Sequence, residues 1–157
     1  MIAEDVGEFV LLAWFVIPFI AVSITDLEAR IIPNRIIYPS VVIAIGLSWA
    51  WPDRGLAEAL IGTAAGFGFI LFPFLLSGGN GIAAGDVKLG GLIGAAVGWP
   101  AVVPGLLIGV VAGGVAAVAV GLRARSRTAS FAYGPYLALG GIVALLFGED
   151  IVDWYAG

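Results

Sequence analysis

Long runs of apolar residues separated by short polar breaks set the pattern of this 157-residue chain. Most of the runs approach the roughly 20 apolar residues that a helix needs to cross the hydrocarbon core of a bilayer. Six runs predict six helices, at about residues 9–25, 33–51, 56–77, 87–99, 100–122 and 131–147. The pattern therefore predicts an all-α fold, a polytopic membrane helix bundle with about six transmembrane helices.

Polar and turn-forming residues mark the predicted helix ends. The first run is expected to end at Asp26, where a polar loop of residues 26–30 begins, and Pro33 and Asn34 suit the start of the second helix. The fourth run is short, about 20 Å if helical, so its helix is expected to begin before Asp86 or to lie shallowly. The other predicted boundaries are a turn at 52–55, a glycine-rich loop at 78–81, Pro100 opening the fifth helix, a basic loop at 123–127 and an acidic end at 148–150.

The composition strengthens the membrane assignment. Hydrophobic residues make up 61% of the chain and charged residues 11%, whereas soluble domains carry about 25% charged residues. Six spans with short loops use nearly the whole length, so we predict one integral-membrane domain over residues 1–157. Glu4, Asp5 and Glu8 stand where a cleaved secretory signal would carry Lys or Arg, so the first helix is expected to be retained.

The chain contains no cysteine and no histidine. It therefore offers no thiolate ligand and lacks imidazole, the commonest metal ligand, so zinc chemistry is excluded on composition. No cofactor and no nucleic-acid partner is expected. The lipid bilayer is the first predicted partner.

Positive charges in the loops predict the orientation, because Lys and Arg in short loops are retained on the cytoplasmic side. Six spans with the amino terminus outside leave only Arg54 on the outer face. The cytoplasmic side then receives Arg30, Arg35, Lys88, Arg123, Arg125 and Arg127. Both termini are therefore predicted to be extracytoplasmic, with Asp26 and Asp86 on the cytoplasmic side of a cell membrane.

Glycines recur at four-residue intervals in three of the predicted helices. Such faces let helix backbones approach closely where lipid gives no hydrophobic incentive to associate. We expect them to pack within the chain rather than between copies. The faces are Gly62 and Gly66 in the third helix, Gly90, Gly94 and Gly98 in the fourth, and Gly105, Gly109 and Gly113 in the fifth.

Asp26 and Asp86 are the candidate functional residues, because a charge near membrane depth is unfavourable and is usually kept for a function. Each also has a structural interpretation. Asp26 could be an interfacial residue that ends a span, and Asp86 could cap a helix by accepting the amides of Val87 or Lys88. Gly85 favours the functional interpretation of Asp86, because it lets another segment approach closely. The predicted topology places both carboxylates on one membrane face and leaves their separation open.

Three segments near these residues carry recognisable motifs. Residues 26–34 read DLEARIIPN, residues 81–89 read GIAAGDVKL and residues 131–138 read FAYGPYLA. In order, they resemble the three motifs of the prepilin leader peptidase and preflagellin peptidase family of membrane aspartyl proteases. The first family motif is an aspartate followed several residues later by Ile-Pro-Asn. The second is Gly-any-Gly-Asp, followed by a hydrophobic residue, Lys and Leu. The third is a carboxy-terminal motif. The likeness extends over nearly the whole chain.

The resemblance implies that Asp26 and Asp86 are the catalytic aspartates of an endopeptidase. Its substrates would be the leader peptides of type IV pilin-like precursors, cleaved at the cytoplasmic membrane face. Within the motifs, the expected supporting residues are Gly85, Lys88, Pro33 and Asn34.

The chain departs from the family pattern in two respects. Ala83 stands where the second motif has its first glycine. Larger members also carry an amino-terminal methyltransferase region with paired cysteines, whereas this chain starts at the first protease helix. It therefore resembles the short, peptidase-only form, and no N-methyltransferase activity is expected.

Two close carboxylates can hydrolyse a peptide without a metal or a nucleophilic side chain. One group must deprotonate water and the other must polarise the scissile carbonyl, and like charges a few ångströms apart tend to share one proton. This chemistry predicts water attack without a covalent acyl-enzyme, with the acid and base roles unassigned. Two alternatives remain: a non-catalytic membrane assembly partner, and a proton or cation carrier with acids near the bilayer midplane.

Overall fold

The computed structural model describes residues 2–51, 54–124 and 131–157, with side chains from residue 6 onward at the amino end. Six α-helices occur in these ranges. In chain order they are α1 (Ile2–Ala29), α2 (Asn34–Leu47), α3 (Leu56–Leu76), α4 (Ala84–Val97), α5 (Val102–Ala124) and α6 (Gly134–Ala156), with a short 3₁₀ turn, Ser48–Ala50, after α2. The predicted all-α bundle of about six helices is confirmed.

Four of the described helices are long and apolar enough to cross a membrane. They are α1 from Val6 onward, α3, α5 and α6. In contrast, α2 and α4 have 14 residues each, or about 21 Å, which is shorter than the roughly 30 Å hydrocarbon core. The chain is therefore a membrane protein by helix length and composition, and the extracytoplasmic position of both termini stays a prediction.

Two predicted helix ends are wrong. α1 does not stop at Asp26 but continues to Ala29. Arg30 then ends it with a left-handed φ of 53°. α6 likewise continues through residues 148–150 to Ala156. Polar residues mark where a helix leaves the apolar environment, but glutamate, present in both extensions as Glu28 and Glu149, is itself a good helix former, so the helix need not end there.

The remaining boundaries lie close to the predictions. α4 begins at Ala84, before Asp86, which confirms one of the two alternatives predicted for this helix. Pro100 does not open α5, because it lies in a turn where the N–H of Val102 donates to the Gly98 carbonyl at 2.9 Å. Parts of two predicted loops, residues 52–53 and 125–127, lie outside the described residues.

α4 lies at the centre of the bundle, in contact with α2, α3, α5 and α6. From Asp86 to Val97 every residue of this helix is buried except Lys88, which is partly exposed. Most of these residues are glycine, alanine or aliphatic, so neighbouring backbones can come close on several sides. The helix that carries Asp86 is thus enclosed by its neighbours from Asp86 to its carboxyl end.

Glycine faces join the helices in pairs. A side chain at Gly94 would overlap the backbone of Gly62, and one at Gly66 would overlap the backbone of Gly90, so α3 and α4 are in direct backbone contact. A side chain at Gly140 would overlap the Gly105 backbone in the same way between α6 and α5. The predicted packing of glycine faces within the chain is confirmed at these contacts.

Arg54 joins three segments at the end of the bundle away from Asp86. Its guanidinium donates to the Ala96 carbonyl at 2.9 Å and to the Glu149 carboxylate at 3.3 Å, and lies 4.4 Å from the centre of the Trp51 ring. The Arg54 side chain is 9% exposed, whereas that of Glu149 is 49% exposed. The hydrogen bond to Ala96 is therefore the better shielded of the two polar contacts.

We expect Arg54→Met to lower the free energy of unfolding by about 2 kcal/mol, because a largely buried carbonyl loses a charged donor. Thermal unfolding in detergent measures this loss. Glu149→Gln is the matched control, with an expected loss below about 1 kcal/mol because the ion pair is half exposed to solvent. An unchanged melting temperature for Arg54→Met would show that the hydrogen bond from Arg54 to Ala96 does not stabilise the fold.

Candidate active site

Asp26 and Asp86 are the two buried charged residues among those whose burial the structure describes, at 6% and 3% exposure. Each carboxylate accepts one backbone hydrogen bond, Asp26 Oδ2 from Gly134 and Asp86 Oδ2 from Ala83, both at 2.9 Å. Both donors lie at the amino end of a helix, where N–H groups lack partners within the helix. Each aspartate therefore satisfies a helix end while remaining buried.

Asp26 reaches across the bundle to α6. It lies in the last turn of α1, and its donor Gly134 is the first residue of α6, 108 positions later. A Cβ atom at Gly134 would lie 2.6 Å from Asp26 Oδ2. The lack of a side chain at Gly134 therefore allows the carboxylate to approach the amide.

Asp86 reaches back to the residue before its own helix. It is the third residue of α4, and Ala83 directly precedes that helix. The structural interpretation that Asp86 accepts the amides of Val87 or Lys88 is wrong. α4 begins two residues before Asp86, and the carboxylate accepts the amide of Ala83 instead. Ala83 has φ −84° and ψ 155°, an extended conformation open to any residue. Alanine at the motif's first glycine position is therefore unstrained here.

Burial raises the pKa of Asp86 to about 6. The hydrogen bond from Ala83 opposes this rise, and the negative charge of Asp26 adds to it. Burial also raises the pKa of the Tyr133 hydroxyl, and the charge of Asp86 adds to that rise. Asp26, Asp86 and Tyr133 thus belong to one electrostatic neighbourhood.

The raised pKa of Asp86 predicts that this residue destabilises the fold when it is ionised. Its folded-state pKa of about 6 exceeds the ordinary 3.8, so the stability it contributes is fully present below about pH 4 and is lost as the pH rises through 6. We expect the free energy of unfolding of Asp86→Asn to exceed that of wild type by on the order of 2–3 kcal/mol at about pH 8, with a correspondingly higher melting temperature. The difference should vanish near pH 4.

Thermal unfolding in detergent at the two pH values tests this prediction. Glu28→Gln is the control, because Glu28 is exposed and should give little difference at either pH. A variant Asp86→Asn that is less stable than wild type at about pH 8 would show that the charge of Asp86 is better compensated than its burial indicates.

The first motif segment contacts both of the others. It joins the third through Asp26 and Gly134. It joins the second through Ile32, because a Cβ atom at Gly85 would lie 2.9 Å from Ile32 Cβ. Gly85 therefore gives room for Ile32 against the start of α4, one residue before Asp86.

The other predicted supporting residues lie at the start of α2. Pro33 precedes that helix, and its carbonyl accepts the N–H of Ile37 at 3.2 Å. Asn34 Oδ1 accepts a hydrogen bond from Lys88 Nζ at 2.8 Å, and Lys88 Nζ lies 5.6 Å from the centre of the Tyr38 ring. The structure thus brings Lys88 and Asn34 together as a link between α4 and α2.

Tyr133 and Gly134 received no individual role from the sequence, although they lie inside the carboxy-terminal motif. The Tyr133 hydroxyl donates to the Val110 carbonyl at 2.7 Å, which ties the start of α6 to α5. The available signal was the Gly134-Pro135 pair, since proline is favoured in the first turn of a helix. The sequence could not show that the first amide of this helix meets Asp26.

The arrangement can supply an acid and a base at the same pH. Two interacting carboxylates in a buried site tend to hold one proton between them. Within the described ranges, no group of three or more His, Cys, Asp or Glu side chains could hold a metal ion. As candidate functional groups, the two carboxylates can each accept or donate a proton.

Comparison with known proteins identifies the family. A sequence model of the type IV leader peptidase family matches residues 10–118, a range that includes both aspartates. The chain is 30% identical over 151 residues to the prepilin leader peptidase/N-methyltransferase of Aeromonas salmonicida (strain A449), covering 92% of this chain and 50% of that protein. It is 32% identical over 144 residues to the protein of the same name from Bacillus subtilis (strain 168), covering 90% and 57%.

The chain spans about half the length of these curated relatives. Their names include an N-methyltransferase activity, and the expected lack of that activity in this chain stays a prediction. No solved structure matches the chain. The match over residues 10–118 includes the first two of the three motifs and confirms the family resemblance: the chain belongs to the type IV leader peptidase family.

Proposed function

We propose that this chain is a membrane aspartyl endopeptidase that removes the leader peptide from type IV pilin-like precursors, with Asp26 and Asp86 as its catalytic pair. One observation carries the proposal: both carboxylates are buried, and each accepts a hydrogen bond from a backbone amide at the amino end of a helix. The name of the relatives, prepilin leader peptidase, supports the class of substrate.

In the proposed reaction, the ionised carboxylate of the pair takes a proton from water while the protonated carboxylate donates a hydrogen bond to the scissile carbonyl. The hydroxide adds to the carbonyl carbon, and the tetrahedral intermediate collapses as the leaving amine takes a proton from the pair. The products are a leader with a new carboxylate and a mature chain with a new amine. Either aspartate can fill either role.

The supporting residues act in this proposal by positioning Asp86. Contact between Gly85 and Ile32 and the hydrogen bond between Lys88 and Asn34 fix the start of α4 against the start of α2. The basic side chains near this end of the bundle support a site at the cytoplasmic membrane boundary. Peptide entry from that side would bring a soluble leader to the carboxylates without drawing it through the bilayer.

Cleavage of a type IV prepilin by the purified chain in lipid vesicles tests the proposal. In water enriched in ¹⁸O, one labelled oxygen should enter the new carboxylate of the released leader during a single turnover, and no enzyme-linked leader should accumulate. Mass spectrometry of the leader and of the enzyme measures both. A covalent leader–enzyme adduct would overturn the proposed water mechanism, and an intact prepilin would overturn the proposed activity.

A further inference from the structure

The side chain of Tyr133 is held on α5 by both its ring and its hydroxyl. A Cβ atom at Gly113 would lie 2.8 Å from Cε2 and Cζ of the tyrosine ring, so this glycine makes room for the ring. The hydroxyl donates to the carbonyl of Val110, three residues earlier on the same helix, at 2.7 Å. A Cβ atom at the next position, Gly114, would meet no atom within 4 Å. The ring therefore needs glycine at 113 and not at 114.

The peptide group that follows Tyr133 is fixed at both of its polar atoms. Its N–H belongs to Gly134 and donates to Asp26 Oδ2 at 2.9 Å. Its carbonyl belongs to Tyr133 and accepts the N–H of Leu137 at 3.3 Å, in the first turn of α6. Because a peptide group is planar, the direction of the N–H follows the backbone of Tyr133. A movement of Tyr133 thus turns the amide that holds Asp26.

The first turn of α6 also contacts α5 at Gly109. A Cβ atom there would lie 2.9 Å from Leu137 Cα and 3.0 Å from the carbonyl oxygen of Tyr136. α5 contains none of the three sequence motifs, yet its glycines set the place where α6 begins. The position of the Gly134 amide therefore depends on α5 as well as on the carboxylate that it meets.

We propose that Tyr133 is a positioning residue of the peptidase: held on α5, its side chain keeps the Gly134 amide directed at Asp26. The proposal rests on the peptidase function proposed above. Tyr133 acts through the backbone, and its hydroxyl proton is already donated to Val110. Burial raises the pKa of this hydroxyl, and the charge of Asp86 adds to the rise, so the side chain lies within electrostatic range of the second carboxylate too.

Gly113→Ala tests this role without changing any motif residue. The added methyl group would displace the ring from α5, so we expect kcat for cleavage of a type IV prepilin in vesicles to fall at least about tenfold. KM should stay within about twofold, because the substrate contacts are unchanged. Gly114→Ala is the matched control on the same helix and should leave both constants within about twofold of wild type. Equal kcat values for the two variants would overturn the proposal.

Gly105→Ala separates positioning from general packing of α5 on α6. A Cβ atom at Gly105 would lie 2.5 Å from Ala144 Cβ, so alanine disturbs the same pair of helices about 12 Å from Gly113 along α5. We expect Gly105→Ala to lower the melting temperature in detergent at least as much as Gly113→Ala, with kcat within about twofold of wild type. A fall in kcat as large as that of Gly113→Ala would assign the effect to packing and contradict a positioning role.

Two substitutions of the tyrosine itself separate its ring from its hydroxyl. Tyr133→Phe keeps the ring against Gly113 and loses one hydrogen bond, so kcat should fall only about threefold. Tyr133→Leu has no ring to place there, and kcat should fall at least about tenfold. The ring would have no positioning role if the two variants had the same kcat.

Nuclear magnetic resonance follows the Gly134 amide directly. Tyr133-Gly134 is the one Tyr-Gly pair in the chain, so ¹³C-carbonyl tyrosine together with ¹⁵N-glycine labels a single amide. A hydrogen bond to a carboxylate shifts an amide proton downfield, and Asp26→Asn gives the reference for a weaker, neutral acceptor. The signal should move upfield in Gly113→Ala and stay in place in Gly114→Ala. An unmoved signal in Gly113→Ala would show that the ring does not hold this amide.

Failure of the positioning role differs from failure of the peptidase function, because the resonance signal needs no cleavage. If wild type cleaves the prepilin while Gly113→Ala keeps its kcat and its Gly134 signal, the positioning role alone is wrong. If wild type leaves the prepilin intact, the peptidase function is wrong and Tyr133 positions no catalytic group.

Discussion

We expect Asp26→Asn and Asp86→Asn each to lower kcat for prepilin cleavage by at least about 1,000-fold, because an amide can neither take a proton from water nor share one with its partner. Asparagine still offers an oxygen to the amide of Gly134 or Ala83, so the fold should persist. Cleavage is measured by the gel shift of a prepilin in vesicles, with equal amounts of folded enzyme. The double variant should be no worse than either single variant, since the two residues act as one unit.

Glu28→Gln is the matched control for both substitutions. Glu28 lies in the same last turn of α1 as Asp26, but its side chain is exposed, so its loss should leave cleavage within about twofold of wild type. Cleavage by either asparagine variant at the wild-type rate would contradict the catalytic pair. It would then favour a structural role for the buried carboxylates, as in a membrane assembly partner.

Gly134→Ala should lower kcat by about 10²–10³-fold. A Cβ at this position would lie 2.6 Å from Asp26 Oδ2 and 3.1 Å from its Cγ, so the carboxylate must move away from the Gly134 amide. Asp26 would then lose its hydrogen bond and the orientation that this bond gives its carboxylate. Alanine suits a helix better than glycine, which keeps the loss of activity separate from any failure to form α6.

Gly46→Ala controls for the general effect of replacing a helical glycine by alanine. Its Cβ would meet no atom within 4 Å, so the variant should cleave prepilin as wild type does. Steady-state kinetics in vesicles measures the ratio of kcat values for the two variants. Full activity in Gly134→Ala would show that Asp26 does not need this hydrogen bond for the reaction.

The helices were predictable because burial in lipid requires long apolar runs. Helix ends were harder, since the polar residues after Asp26 and after Phe147 continue their helices beyond the apolar run. The sequence showed that glycine faces exist, but not that Gly94 meets Gly62 or that Gly140 meets Gly105. Those pairings depend on which helices become neighbours, which is a property of the folded bundle.

The candidate site was predictable in its residues and only partly in its contacts. Asp26 and Asp86 are singled out by physical argument because they lie at the ends of apolar runs, and the family resemblance predicts that they act together. The donor to Asp86 could not be assigned without the start of α4, because a shift of a few residues changes which amide the carboxylate meets. The donor to Asp26 comes from a distant helix, so no local pattern around residue 26 could reveal it.

The hydrogen bond from Gly134 to Asp26 also sets an order of events during synthesis. Asp26 leaves the ribosome 108 residues before its donor, so α1 enters the bilayer while the carboxylate still lacks this partner. The pair reaches its final geometry only after α6 has been translated and inserted. If the proposed catalytic pair is correct, we expect a nascent chain to gain peptidase activity only once its sixth helix is in place.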